Sequence, residues 1–261
     1  MRHPPQIFIT YRLYVCEALL IFAQKFYDIM TRRILIIFAL LTALSANAQT
    51  MRELFSFMPD SLNPMLTRVN REDFGDFLDS GMKAAVRNRF GQFTEMVKLT
   101  DDYLFLAESS ASTVEMKLLP VNDSVRVICV VHSYTAPVED SKVDFLSTSW
   151  LKVNVADYFT PPALDDFLIT PDDEAEADTL SRVRQAIDLP LMKACLSETA
   201  PTLTFTLTAP DYLDRETVDM AKRYVKLEPV VYEWRDGRFR LTLAKKEEEM
   251  TRTEMIPRTV R

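Results

Sequence analysis

Two histidines occur in the chain, His3 and His132. His132 falls in a strand-like run, Val125 to Tyr134, where a side-chain period of two sets it on one face with Arg126, Ile128, Val130 and Tyr134. An imidazole in that position can act as a general base if folding brings a serine or a carboxylate to it. No partner stands at a diagnostic spacing, and a strand histidine with a satisfied hydrogen bond is the plainer reading. His132 is therefore the candidate catalytic residue. A zinc site of the Cys/His type is not expected, because beyond residue 48 the candidate ligands are one histidine, His132, and two scattered cysteines, Cys129 and Cys195.

Carboxylates offer a second chemistry. Asp172, Asp173 and Glu174 open an acidic run that ends at Asp178 and could gather calcium from a flexible loop, although the run lacks the glycine and the spacing of an EF-hand. A solvated acidic linker is the bland reading. Asp165 and Asp166 are adjacent, and neighbours on a helix do not face each other, so they make a poor acid–base pair. Aromatic side chains offer a third: Tyr134, Trp150 and Trp234, with Tyr212 and Tyr232, could stack on sugars or dock a partner, while core packing is the default for aromatics in strands. The four glycines, Gly75, Gly81, Gly91 and Gly237, are too scattered to build a phosphate-cradling loop, and no serine lies in a G-x-S-x-G turn.

The elements that must position these groups begin after a leader. From Met30 the chain reads MTRRILIIFALLTALSANAQT. Arg32 and Arg33 give the positive region, Ile34 to Leu44 the apolar run, and Ala46-Asn47-Ala48 a small-residue cleavage site, so residues 30–48 read as a signal peptide. The apolar run is about half the ~20 residues a membrane span needs. Residues 1–29 precede it, either because translation starts at Met30 or as a longer anchor around Val15 to Phe26, a poor span interrupted by Glu17 and Lys25.

Of the 31 Lys and Arg and 38 Asp and Glu, residues 1–48 hold five and two, which leaves 213 residues with a formal charge of −10. That balance argues against nucleic acid and anionic membrane surfaces, whose recognition needs clustered Lys and Arg. An oxidising compartment permits a Cys129–Cys195 disulfide, whereas buried free thiols are the commoner state for cysteines inside apolar runs.

Thr50 and Glu53 form a capping box before Leu54, Phe55 and Met58, and Asn70 is expected to cap a second helix that Gly81 stops. Strands are predicted over residues 94–99, 103–107, 114–119, 125–134, 143–150, 191–197 and 202–208, with helices over 179–187 and 211–225. Asp236-Gly237 marks a hairpin within 230–243. The prediction is an α+β fold, mainly antiparallel sheet with short N-terminal helices and a few packing helices, spanning 49–244 with a disordered tail over 245–261. Met116-Lys117 and Thr135-Ala136-Pro137 return as Met192-Lys193 and Thr208-Ala209-Pro210, 76 and 73 residues on, each followed by a strand with a tryptophan. They suggest two related halves, 94–153 and 190–244.

The runs MRELFSFMPDSLNPMLT from Met51, TDDYL from Thr100, MKLLPVNDS from Met116, LTFTLTAPDYL from Leu203 and YEWRDGRF from Tyr232 resemble an uncharacterised family of exported Bacteroidetes proteins, domain of unknown function 3256. The resemblance implies a Gram-negative host and a location in the periplasm or outer envelope, and it assigns no catalytic or binding residue. The resulting expectation is an exported envelope protein, a non-catalytic binding or scaffolding module for a protein or glycan, with no cofactor. The alternative is a periplasmic hydrolase using carboxylates or His132. A pocket lined by His132 and two or more carboxylates would favour the enzyme, and an exposed aromatic patch would favour binding.

Overall fold

The computed structural model describes residues 26–27, 30–33, 49–226 and 228–242. It divides into two units, Met1–Gln49 and Thr50–Arg261. In the first, residues 26–27 and 30–33 are helical. The apolar run and cleavage site of the leader, most of 1–29, and the 245–261 tail lie outside the described residues. Among the described residues no helix is long and apolar enough to cross a membrane.

The second unit opens with helices α1 (Met51–Ser56) and α2 (Arg68–Asp79). The Thr50/Glu53 capping box forms as expected. For α2 the cap is Thr67, not Asn70: the Thr67 hydroxyl accepts from the Asn70 N–H while the Asn70 side chain accepts from the Thr67 N–H. Asn70 is thus the third helical residue of a reciprocal box, a role usually given to Glu or Gln. Gly81, at φ 67°, turns the chain out of the helix.

Six strands then form one antiparallel meander: β1 (Ala85–Arg87), β2 (Phe93–Leu99), β3 (Tyr103–Ala107), β4 (Ser112–Pro120), β5 (Arg126–Thr135) and β6 (Glu139–Ser147). One face, with Leu104, Leu106, Met116, Ile128 and Val130, is buried under Met51, Phe55 and Phe74 of α1 and α2. The opposite face, with Tyr103, Leu119, Cys129, Val131 and Phe145, joins a second cluster. Burial on both faces explains why β5 carries the apolar run Val127–Val131 where a strand with one wet face would alternate; β4 keeps its alternation, with Glu115 and Lys117 buried among its apolar residues.

The second cluster is completed by a four-stranded antiparallel sheet, β7 (Met192–Leu196), β8 (Thr202–Leu207), β9 (Val230–Arg235) and β10 (Arg238–Leu241), and by residues 155–187. This middle segment holds α3 (Val155–Tyr158), a 3-10 turn over Leu164–Phe167 and α4 (Glu174–Ala186). The acidic run is therefore not a linker throughout, since α4 begins within it. The helix expected over 211–225 is a 3-10 turn, Ala209–Tyr212, with Pro210 in its first turn, followed by α5 (Arg215–Ala221).

Edge strand β7 lies against the first sheet, and its outward N–H groups are not left open. Met192, Ala194 and Leu196 donate to Asp140 Oδ1 (3.1 Å), Ser141 Oγ (3.0 Å) and Glu115 Oε2 (2.8 Å). Side chains of one sheet thereby cap the edge of the other, which removes a template for pairing with another chain. Trp234 Nε1 adds a bond of 2.6 Å to the Pro120 carbonyl.

Asp236 (φ 50°) and Gly237 (φ 75°) make the two-residue turn of the β9–β10 hairpin. A Cβ on Gly237 would stand 2.9 Å from the Val121 carbonyl oxygen. Gly237→Ala is expected to lower stability by about 1–3 kcal/mol, through left-handed strain and that contact together. Urea unfolding checks this, and a loss under a few tenths would show that the turn moves freely.

The two anchor sets of the suggested halves occupy different settings. Ala136-Pro137 turns β5 into β6 through a cis bond, whereas Ala209-Pro210 opens a 3-10 turn. Trp234 lies in β9, but Trp150 follows the end of β6 at φ 64° and packs into the other cluster.

Candidate functional site

Where the helical layer meets β4, β5 and β6, it leaves a pocket of about 180 Å³. Strand register places its floor: Met116 pairs with Val130, Val130 with Asp144, and His132 with Lys142. His132 and Asp144 thus stand diagonally across the β5–β6 pair on one face, within reach of each other's field. A bridge between Leu146 and Lys152 brings the chain back and adds Lys152 to the wall. The far side is the loop after α1, which contributes Met58, Ser61 and Leu62.

That loop is held from behind. Arg71, 3% exposed, donates to the carbonyls of Met58 and Leu66 and to the Asp60 carboxylate. Asp60 also pairs with Arg89. Buried Asn63 donates to Glu108 Oε1 (2.8 Å) and accepts from the Met65 N–H.

The walls are apolar, from Met58, Leu62, Met116, Val130 and Leu146, with Ser61, His132, Asp144 and Lys152 among them. Burial holds the His132 imidazole below its usual pKa; Asp144 pulls the other way, and Lys142 and Lys152 add to the lowering. The ring is therefore neutral at neutral pH. Asp144 Oδ2 is 2.6 Å from Lys142 Nζ. Lys152 has no ion-pair partner among the described residues, and neither ring nitrogen of His132 is hydrogen-bonded to one. The site thus offers a neutral imidazole, a carboxylate matched by one lysine, a second lysine and an exposed hydroxyl.

His132 shares its face with Ile128 and Val130, as the strand period predicts. Tyr134 is on the same strand, exposed and outside the pocket lining. Tyr212 is exposed as well, whereas Tyr232 and both tryptophans are core residues: Trp150 is 8% exposed in the helix-covered cluster and Trp234 is 7% exposed in the cluster between the sheets. Large rings gain more from burial than from display, and Trp234 finds its donor partner inside. Asp172 and Asp173 are exposed just before α4. Among the described residues no group of three His, Cys, Asp or Glu comes together as metal ligands. Asp165 pairs with Arg184, and Asp166 accepts from the Ala163 N–H. Cys129 and Cys195 are both free: Cys129 faces the inter-sheet core, whereas Cys195 sits on the opposite side of β7 from buried Ala194 and Leu196.

Sequence reasoning missed Ser61, Asp144 and Lys152. Asp144 was within reach of it, because a β5–β6 hairpin centred on Pro137 brings residue 142 opposite 132. A larger hollow of about 490 Å³ opens on the other face of the first sheet, lined by Lys83, Ala85, Phe93, Glu95, Ala107 and Ser109. Its acid and base are already paired, Lys83 Nζ to Glu95 Oε2 at 2.9 Å, and Arg87 lies over the exposed Phe93 ring. Unmatched ionisable groups converge in the smaller pocket.

A family described as "Protein of unknown function (DUF3256)" matches residues 43–239. Among solved structures the chain is similar to a domain of an uncharacterized protein from Porphyromonas gingivalis W83, with a TM-score of 0.66 and 27% identity over 74% of this chain and 98% of that one. No curated protein matches it.

Proposed function

The chain belongs to the DUF3256 family of proteins of unknown function, and we propose that it is an exported domain of the bacterial envelope that holds a small ligand in the His132 pocket without transforming it. Export is supported by the Arg32–Ala48 leader pattern. A Gram-negative host is supported by the similarity to the Porphyromonas domain.

Binding is carried by one observation: the pocket is a mostly apolar concavity, its lid fixed by Arg71, with a few polar groups at its wall. That is the composition of a ligand site, where apolar walls supply affinity and a few polar groups fix orientation. Its one carboxylate, Asp144, is engaged by Lys142. A second reading, a hydrolase, is favoured by Ser61, His132 and Asp144 around the same pocket, and it would need Ser61 to reach His132 within about 3 Å.

Thermal shifts of the purified protein against calcium, zinc, sugars, peptidoglycan fragments, lipids and small organic acids test the proposal. A ligand that binds only the folded state at about 100 times its Kd adds about 2.7 kcal/mol. Ser61 is exposed at the mouth, so Ser61→Trp is expected to leave the ligand-free melting temperature within about a degree and to abolish the shift. A shift that survives Ser61→Trp would move the site elsewhere. Turnover of an ester that disappears in His132→Ala would replace binding by hydrolysis.

A further inference from the structure

Resting on the reading of the His132 pocket as a ligand site, we infer that its ligand is a small organic monoanion: a carboxylate on a compact apolar body about the size of one aromatic ring. Size is set by the cavity. A dry apolar cavity of about 150 Å³ accepts benzene, and this pocket offers about 180 Å³, most of its lining aliphatic or thioether. Met58, from the loop, and Met116, from the floor, both line it as unbranched, polarizable side chains that adapt to the shape of an apolar body.

The charge of the ligand follows from the groups that face it. From β6 come Asp144 and Lys142, 2.6 Å apart, which cancel. From the returning segment comes Lys152, whose ammonium has no carboxylate partner among the described residues. From β5 comes His132, which adds positive charge only on protonation. The lid contributes Met58, Ser61 and Leu62, all uncharged, while neighbouring Asp60 is turned to Arg71 and Arg89. The balance is one positive charge, in a domain whose overall formal charge is −10. An anion placed between Lys152 and His132 would be matched by an ammonium and an imidazole N–H, with the Ser61 hydroxyl at the mouth as a further donor. A cationic head would meet an already engaged carboxylate and an unmatched lysine.

The test is calorimetric titration with three probes of one shape and different charge, benzoate, benzamide and benzylamine. Benzoate is expected to bind at least about tenfold more tightly than benzylamine, with benzamide between, since one charge contact at about 4 Å near a surface is worth a factor of ten or more. Lys152→Met removes the unmatched ammonium and is expected to erase the advantage of benzoate over benzamide. Lys142→Met frees Asp144 and is expected to turn the preference toward benzylamine. Benzoate affinity is also expected to rise as pH falls and His132 protonates, and the rise should vanish in His132→Gln. Benzamide or benzylamine binding as tightly as benzoate would overturn the anion while keeping the pocket as a ligand site. No binding by any of the three at millimolar concentration would overturn the pocket itself, and the anion with it.

Discussion

Replacing Arg71 with alanine is expected to lower stability by about 3–5 kcal/mol and to release the lid of the His132 pocket. The side chain is 3% exposed, yet its main partners belong to the backbone: Nη1 donates to the Leu66 carbonyl at 3.0 Å and Nη2 to the Met58 carbonyl. Both of those residues are themselves buried. Alanine would leave two buried carbonyls without a donor, each costing about 1–3 kcal/mol, and would add the volume of the lost guanidinium and its stem. Nε has no partner among the described residues, so the arrangement is already imperfect, and it persists because the loop from Met58 to Leu66 has no regular secondary structure to satisfy its own carbonyls.

Arg71→Met separates these causes. It restores most of the volume and none of the donors, so it should recover about 1–2 kcal/mol of the alanine loss. The acidic partner sets the pH behaviour. Arg71 first and Arg89 second hold the Asp60 carboxyl below its usual 3.8. A lowered pKa gives stability that is present above the unfolded value and lost as pH falls through the folded one, so the gap between wild type and Arg71→Ala should be full at pH 7 and narrow below about pH 4. Urea unfolding at both pH values reads this out. A loss below about 1 kcal/mol at pH 7 would mean that the loop is held by its apolar contacts alone, through Met58 and Leu66.

Much of the fold is written locally. Thr50 with Glu53, the φ-permissive Gly81 and the Asp236-Gly237 pair act within a few residues, and each does in the folded chain what its type suggests. The run Val127–Val131 announces a strand, and its unbroken apolar character also announces that both faces are covered. Long-range polar choices are not written this way. Arg71, Glu115 and Lys117 are 3%, 9% and 3% exposed, and each is partnered partly by backbone groups 5 to 81 positions away. A backbone N–H or carbonyl carries no residue identity, so no pattern marks it in advance as the partner of a given side chain.

The same distinction governs the site. His132 is conspicuous because histidine is rare here, and its face follows from strand period. Asp144 follows once hairpin register is set. Ser61 comes from a loop 71 positions before His132, and Lys152 from a turn after β6, so both depend on how a helical layer settles on a sheet. The placement of the tryptophans depends on contacts of the same long-range kind. Composition shows that rings can serve an interface, whereas which side of a strand end faces the core is decided by a left-handed residue at Trp150 and by a hydrogen bond to Pro120 at Trp234.

The joint between the two sheets gives the second large effect. Glu115 on β4 is buried, and its Oε2 accepts both the Leu196 N–H of edge strand β7 and the Tyr103 hydroxyl, at 2.8 and 3.2 Å. Burial raises the Glu115 pKa; those two hydrogen bonds and Lys193 only offset it. Glu115→Leu should therefore cost about 2–4 kcal/mol, because it strands a backbone donor and a phenol hydroxyl in the cluster that joins the sheets. Glu115→Gln keeps an acceptor at the same place and removes the ionisation. A raised folded-state pKa means stability that is complete below the unfolded value of 4.5 and lost as pH rises through the folded one, so the wild type carries a penalty at neutral pH that glutamine does not. The Gln variant should match the wild type near pH 4.5 and exceed it progressively toward pH 8, with Leu below both throughout. Glu108, raised in the same direction by burial, remains in all three proteins and cancels from the comparison. Parallel wild-type and Gln curves across that range would show that Glu115 stays ionised in the fold, and that the edge of β7 is capped by a charge and not by a carboxylic acid.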